Sequence, residues 1–298
     1  MADRRIITPP PAVDLAMAIP SLAPKAKQTV RLHPKQGQAN ANCSKIGGTI
    51  LWPQREQWPR CAEHECPYVV ALQMRKQDVP ELTFRRNTNL LQVLWCPNPH
   101  SYYACPNAEV FWRNSRIKGH SPDCSDSING EEGYLPTPCV VHPESVIEFP
   151  DGSELSQHDC ESIETSNAIS NVLIDPGVEP IEDWSVPDTN IGLYYSWLSV
   201  APGTKVGGYP PWLQDPQYPK CGSNHPMEFL MSFSSHEFDV LSWARWLPID
   251  EREILTAPYA ELSRAQSVIG CNFGDAGNLY VFICRKCPEW PMSAFTQS

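Results

Sequence analysis

Apolar positions along this chain fall in short runs. Tyr68–Met74, Leu90–Trp95, Glu109–Arg113, Ser145–Phe149, Leu193–Leu198, Met227–Phe233 and Leu279–Ile283 are rich in β-branched and aromatic side chains. Runs of that length, separated by Pro, Gly and polar clusters, predict strands. Only two stretches, Cys160–Ser170 and Ala257–Val268, predict short helices. The chain has 298 residues, of which 31 are proline, roughly twice the usual share of about 5%. Proline at that density disfavours long helices and favours strands joined by turns. The expected fold class is therefore mainly β, a β-rich α+β arrangement. No run approaches the ~18 apolar residues of a membrane-spanning helix, so no membrane association is expected. The N-terminal MADRRIITPPPAVDL has no apolar signal core, which points to a cytoplasmic protein.

The strongest internal signal is self-similarity. SKIGGTILWPQREQWPRC, ending at Cys61, aligns without a gap to TKVGGYPPWLQDPQYPKC, ending at Cys221. Lys45, Gly47, Gly48, Trp52, Gln54, Pro59 and Cys61 fall on Lys205, Gly207, Gly208, Trp212, Gln214, Pro219 and Cys221. A second echo relates LLQVLWCPNPH (90–100) to NLYVFICRKCP (278–288). Each unit thus holds a Gly-Gly turn, an aromatic and proline-rich loop ending in Cys, a strand, and a second strand ending in Cys. The organisation expected is a duplication of two similar halves. Residues 1–40 form a Pro-rich irregular arm, 41–118 the first unit, 119–190 an acidic connecting region and 191–298 the second unit.

The repeat also carries the chemistry. A structural zinc ion takes four ligands, commonly as two short-spaced pairs from two turns. The second unit offers Cys221-x3-His225 and Cys284-x2-Cys287, and the first offers Cys61-x2-His64 and Cys96-x3-His100. Thiolate and imidazole suit zinc. One Cys3His and one Cys2His2 site are expected, each a zinc-binding turn. In the first unit, Cys66 and Cys105 are alternatives to His64 and His100. Twelve cysteines without an export signal read as metal ligands and buried thiols rather than disulfides. Cys43, Cys124, Cys139, Cys160 and Cys271 lack a partner at ligand spacing. Trp52 and Trp212 are expected in the core. The Gly-Gly pairs follow a lysine but lack the phosphate-loop pattern, so they read as tight turns. His236-Glu237-Phe238-Asp239 is the remaining cluster of titratable groups; read as a strand, it puts His236 and Phe238 on one face and Glu237 and Asp239 on the other. No familiar hydrolase or kinase motif is present.

Charge then separates the regions. The net charge is −11, yet residues 119–204 contain no Lys or Arg and 16 Asp and Glu. Such a segment attracts a basic partner. Overall acidity argues against nucleic acid as a ligand, because phosphate contacts need a basic face.

The stretches KIGGTILWPQREQWPRC, KVGGYPPWLQDPQYPKCGSNHPMEFLMSF and GDAGNLYVFICRKCPEWP resemble the bacterial YwqG-like domain-of-unknown-function family. More distantly they resemble programmed cell death protein 2 and its yeast relative in ribosome assembly. The resemblance spans about residues 43–116 and 191–291. It implies a β-rich duplicated fold and a protein-binding role, since the eukaryotic relatives escort small-subunit ribosomal proteins and some bacterial members lie among toxin–immunity genes. This chain departs from the eukaryotic Cys-x-x-Cys-Gly pattern, with Cys221-Gly-Ser-Asn-His225 in its place. The expected function is a zinc-stabilised protein-binding module for a basic protein partner, acting as an escort or immunity factor. The alternative is a zinc-dependent hydrolase with its site between the halves.

Overall fold

A computed structural model describes residues 7–100, 105–122, 132–174, 177 and 186–298. Cys124 and most of the acidic run between 175 and 185 lie outside the described residues. The protein is β-rich, with two six-stranded antiparallel sheets and few, short helices. The strands are β1 (Lys27–Arg31), β2 (Lys35–Gln36), β3 (Lys45–Ile46), β4 (Val69–Arg75), β5 (Leu90–His100), β6 (Cys105–Arg113), β7 (Cys139–Val140), β8 (Glu144–Glu148), β9 (Lys205–Gly207), β10 (Glu228–Ser234), β11 (Asn278–Ile283) and β12 (Met292–Gln297).

One sheet has the order β2-β7-β3-β4-β5-β6 and the other β8-β1-β9-β10-β11-β12. Both begin with one end of the same two-stranded ribbon. Lys27 faces Glu148 and Arg31 faces Glu144, and the same register continues as Lys35 facing Val140 and Gln36 facing Cys139. Between these pairs the ribbon passes from one sheet to the other at residues 32–34, where the His142 N–H donates to the Leu32 carbonyl at 2.7 Å. Outward from the ribbon, β3-β4-β5-β6 and β9-β10-β11-β12 run in parallel order. Even the irregularities match: the ladder slips between Val70 and Leu72 in one sheet and between Phe229 and Met231 in the other.

Strand alternation explains the core. Leu91, Val93 and Trp95 of β5, with Leu279, Val281 and Ile283 of β11, point into one shared apolar core. Trp95 meets Phe233 edge-on at 4.9 Å there, joining the two sheets. The opposite faces carry Leu94 and Cys96 on β5, and Tyr280, Phe282 and Cys284 on β11, each set in its own smaller cluster. A third layer of helices and loops buries Leu22, Ile163, Tyr194, Trp197, Trp243 and Leu262 together.

Several expectations need correction. Leu193–Leu198 is helical: helix Asn190–Leu193 is capped by Thr189 and runs into a wide turn over Tyr194–Leu198. Leu193, Tyr194, Trp197 and Leu198 are buried while Tyr195 is exposed, which is helical periodicity and not strand alternation. The helix expected over Cys160–Ser170 is two helices, Gln157–Glu164 and Asn167–Ile174. The first starts early because Ser156 and Asp159 form a reciprocal cap. Residues 27–36, expected in the irregular arm, form β1 and β2, with β1 at an inner position of its sheet. The final strand, β12, follows Pro291, beyond the last expected strand. The cluster from His236 to Asp239 is not a strand, and Glu237 and Phe238 are both buried.

Candidate metal centres

The residues expected to bind metal come together in two groups: Cys61, His64, Cys96 and His100, and Cys221, His225, Cys284 and Cys287. The loop after each Gly-Gly turn brings the first pair, and the outer face of the second long strand brings the third donor. Gly47, Gly48, Gly207 and Gly208 all have φ between 61° and 76°. That left-handed region suits glycine, and at Gly208 a Cβ would stand 2.0 Å from Glu148 Oε1. The turn then leads through Trp52 or Trp212, both buried, into the cysteine loop. Trp52 packs edge-on against Trp58 and Phe111, and Trp212 stacks on Phe282 and Phe295. These tryptophans floor the loops.

Within each group the measured donor–donor separations match the edge lengths of a tetrahedral site. Metal–sulfur bonds of about 2.3 Å and metal–nitrogen bonds of about 2.0–2.1 Å put S···S, S···N and N···N edges near ~3.7, ~3.5 and ~3.3 Å. In the first centre, Cys61 Sγ is 3.6 Å from His64 Nδ1 and 3.3 Å from His100 Nε2. His64 Nδ1 is 3.3 Å from His100 Nε2, and Cys96 Sγ is 3.4 Å from His64 Nδ1. In the second, Cys221 Sγ is 3.7 Å from both His225 Nδ1 and Cys287 Sγ. Cys284 and Cys287 Sγ lie 3.8 and 3.5 Å from His225 Nδ1. Sulfur and imidazole nitrogen exclude magnesium and calcium, which take oxygen. The donor sets therefore fit a tetrahedral transition-metal ion.

Neighbouring groups orient the donors. Glu63 Oε2 lies 2.9 Å from His100 Nδ1, fixing that ring with Nε2 turned to the centre. The His64 N–H donates to Cys61 Sγ at 3.3 Å. At Cys221, burial alone would raise the thiol, but backbone hydrogen bonds from His225 and Ser223 outweigh it and bring it down to about 7. At Cys96 burial dominates and pushes the thiol up to about 12. Of the alternative donors, Cys105 pairs across the ladder with His100, and its thiol meets the Pro106 carbonyl at 3.5 Å, outside the group. Cys66 Sγ stands 3.7 Å from Cys96 Sγ, beside the group.

A cluster of buried charged groups lies at the ribbon crossing, and of its residues only Lys205 and Glu237 stood out in the sequence. Arg31, fully buried, donates to the carbonyls of Pro202, Trp246 and Glu237. Lys205 donates to both oxygens of Glu148, and both residues are wholly buried. Burial is the larger influence on each, lowering Lys205 to about 8 and raising Glu148. His33 Nε2 meets Glu144 at 2.9 Å. Burial and then the Arg31 charge lower His33 to about 4. Burial opposes ionisation of Glu144, but hydrogen bonds from His33, Thr8 and Ile7 outweigh it and hold the carboxyl at about 2. A cavity of about 410 Å³ opens beside Arg31, His33, Glu237 and Trp246. Its lining shares no residue with either metal centre. The available signal was a pair of His-Pro dipeptides, His33-Pro34 and His142-Pro143, one on each ribbon strand at the crossing. Among the described residues, no helix is long and apolar enough to cross a membrane. No protein-family model matches the chain, and no curated protein matches it significantly.

Proposed function

We propose that both centres hold structural zinc and that the protein acts by binding a basic protein partner, as an escort or immunity factor of the YwqG-like kind. The carrying observation is closure: each centre gathers four protein donors at tetrahedral spacing. Four protein ligands leave no position for a reacting water, so such an ion staples a loop to a strand end and does no chemistry. Zinc is the ion of choice for mixed thiolate and imidazole sets. A reducing cytoplasm keeps the thiols available as ligands. The parallel strand orders and the matching ladder slips support descent of the two halves from one duplicated unit.

The partner reading rests on charge. Residues 119–204 carry sixteen carboxylates and no cation. Of these, Glu161, Glu164 and Asp188 are exposed. A field of one sign steers an oppositely charged partner. The hydrolase reading has less support, because the cavity near the ribbon holds no donor from either centre. Two measurements test the proposal. Elemental analysis of protein purified without chelator is expected to give two zinc ions per chain; a metal-free folded protein would overturn the metal reading. Binding to a protein captured at low salt is expected to weaken severalfold when Glu161, Glu164 and Asp188 become Gln, Gln and Asn. Unchanged affinity, with no salt dependence, would remove this segment from the docking surface.

A further inference from the structure

A fifth candidate donor stands beside the four of the first centre: Cys66 Sγ lies 3.7 Å from Cys96 Sγ. We infer that Cys66 is a reserve ligand there, able to take the coordination position of His64 while the metal stays bound. The inference rests on the metal reading above and adds a second ligation state to it.

The evidence is a comparison of the two cysteine loops. In the second, the Cys221 N–H donates to the His225 carbonyl at 3.0 Å, and His225 is a donor of the centre. In the first, the Cys61 N–H donates at 2.9 Å to the carbonyl of Cys66, not of His64. The residue before each is left-handed, Asn224 at φ 62° and Glu65 at φ 50°. The residue after each is a proline in the matching bridge, Lys220 with Pro226 and Arg60 with Pro67. The exit strand is anchored alike, Met227 N–H to the Pro219 carbonyl and Tyr68 N–H to the Pro59 carbonyl, both at 3.0 Å. Cys66 therefore holds the backbone position from which His225 ligates. The first loop is one residue longer, and the extra length lets His64 reach inward ahead of it.

Distance and exposure agree. Cys66 Sγ is 3.7 Å from Cys96 Sγ, the sulfur–sulfur edge of a tetrahedral site. Cys66 is buried and is touched otherwise by the Asn98 amide at 3.7 Å. His64 is the one exposed donor of the eight. The exchange needs no oxidant: the metal–nitrogen bond to His64 breaks, a metal–sulfur bond to Cys66 forms, and the thiol proton passes to the freed imidazole. The set changes from Cys2His2 to Cys3His, the composition of the second centre.

Cobalt(II) loading of the full chain tests this, because cobalt reports each bound thiolate in its near-ultraviolet charge-transfer band. Wild type is expected to hold two cobalt ions with five thiolates in all. His64→Ala is expected to keep two ions while the band grows by about a fifth, as a sixth thiolate binds. Cys66→Ser alone is expected to match wild type, and the double variant to hold one ion. Loss of one ion from His64→Ala, or two ions with no growth of the band, would overturn the inference. A smaller band in Cys66→Ser would overturn it differently, making Cys66 the resident ligand. Fewer than two ions in wild type would overturn the metal reading beneath it.

Discussion

The two candidate metal centres occupy matching places on their sheets yet differ in donors and exposure. The second uses three thiols and one imidazole, none of them exposed. The first uses two of each, with His64 at the surface and His100 propped by the exposed carboxylate of Glu63. The same contrast runs through the lysine that precedes each Gly-Gly turn. Val140 lies opposite Lys45 as Arg31 lies opposite Lys205, so the ribbon places Ala39 and Glu148 at corresponding positions. Lys205 finds a carboxylate there and Lys45 only the Ala39 carbonyl. One half pairs its buried lysine with a carboxylate, while the other gives its buried lysine only a carbonyl. Equivalent backbone thus does not impose equivalent energetics: the side chains at a few positions decide how much each half depends on a single contact.

The largest test of that contrast removes the lysines. Lys205→Met leaves the Glu148 carboxylate buried and unpaired, and is expected to cost about 3–5 kcal/mol in denaturant unfolding. Lys45→Met loses one charge-assisted hydrogen bond to a carbonyl, for about 1.5–3 kcal/mol. Equal losses would erase the distinction between the halves.

A second test uses pH and the buried one of the two ribbon histidines, His33. His33 is buried while His142 is half-buried. With its folded value lowered to about 4, His33 resists protonation that the unfolded chain accepts near ~6.5. The unfolded state then binds more protons between these values, so stability falls as pH drops through that window. The full loss is roughly 3 kcal/mol, complete near pH 4. Glu144, held at about 2, contributes stability that is lost only below the unfolded value of ~4.3. Between pH 6.5 and 4.5 other shifted groups add to the slope, so the histidine is read from the difference in slope between wild type and a His33 variant. His33→Gln is expected to flatten that slope relative to wild type; an unchanged slope would refute the assignment.

The smallest expected effect sharpens the metal comparison. Glu63→Gln removes the charged partner of His100, and the exposure of that carboxylate places its effect near the low end of the usual 10–100-fold range. Competition with a chelator is expected to show the first centre losing affinity about tenfold and the second keeping its own. An equal change at both centres would show that the effect does not act through His100.

Much of the architecture was legible before any coordinates. Apolar runs identified β4, β5, β10 and β11, because strands buried on both faces read as near-continuous apolar segments, and a shorter apolar stretch identified β8. The spacing of Cys and His selected all eight residues that the fold gathers, since short loops constrain which donors can meet. Other elements were not legible. The aromatic run Leu193–Leu198 suits strand and helix alike, and only packing against Trp243 and Leu262 selects the helix. Lys27–Arg31 reads as a charged arm, because its burial comes from partners more than a hundred residues away.

The sequence by itself determined the β-rich character, the paired loops and a short list of candidate donors, with Cys66 and Cys105 left as alternatives in the first unit. These follow from local composition and short spacing. Tertiary structure alone decided that residues 27–36 and 139–148 form one ribbon shared by both sheets, that Arg31 and Lys205 are buried among carbonyls and carboxylates, and that Cys66 stands where His225 stands. Each depends on register between distant segments. A two-residue period marks which face a side chain takes, but not which strand lies across from it.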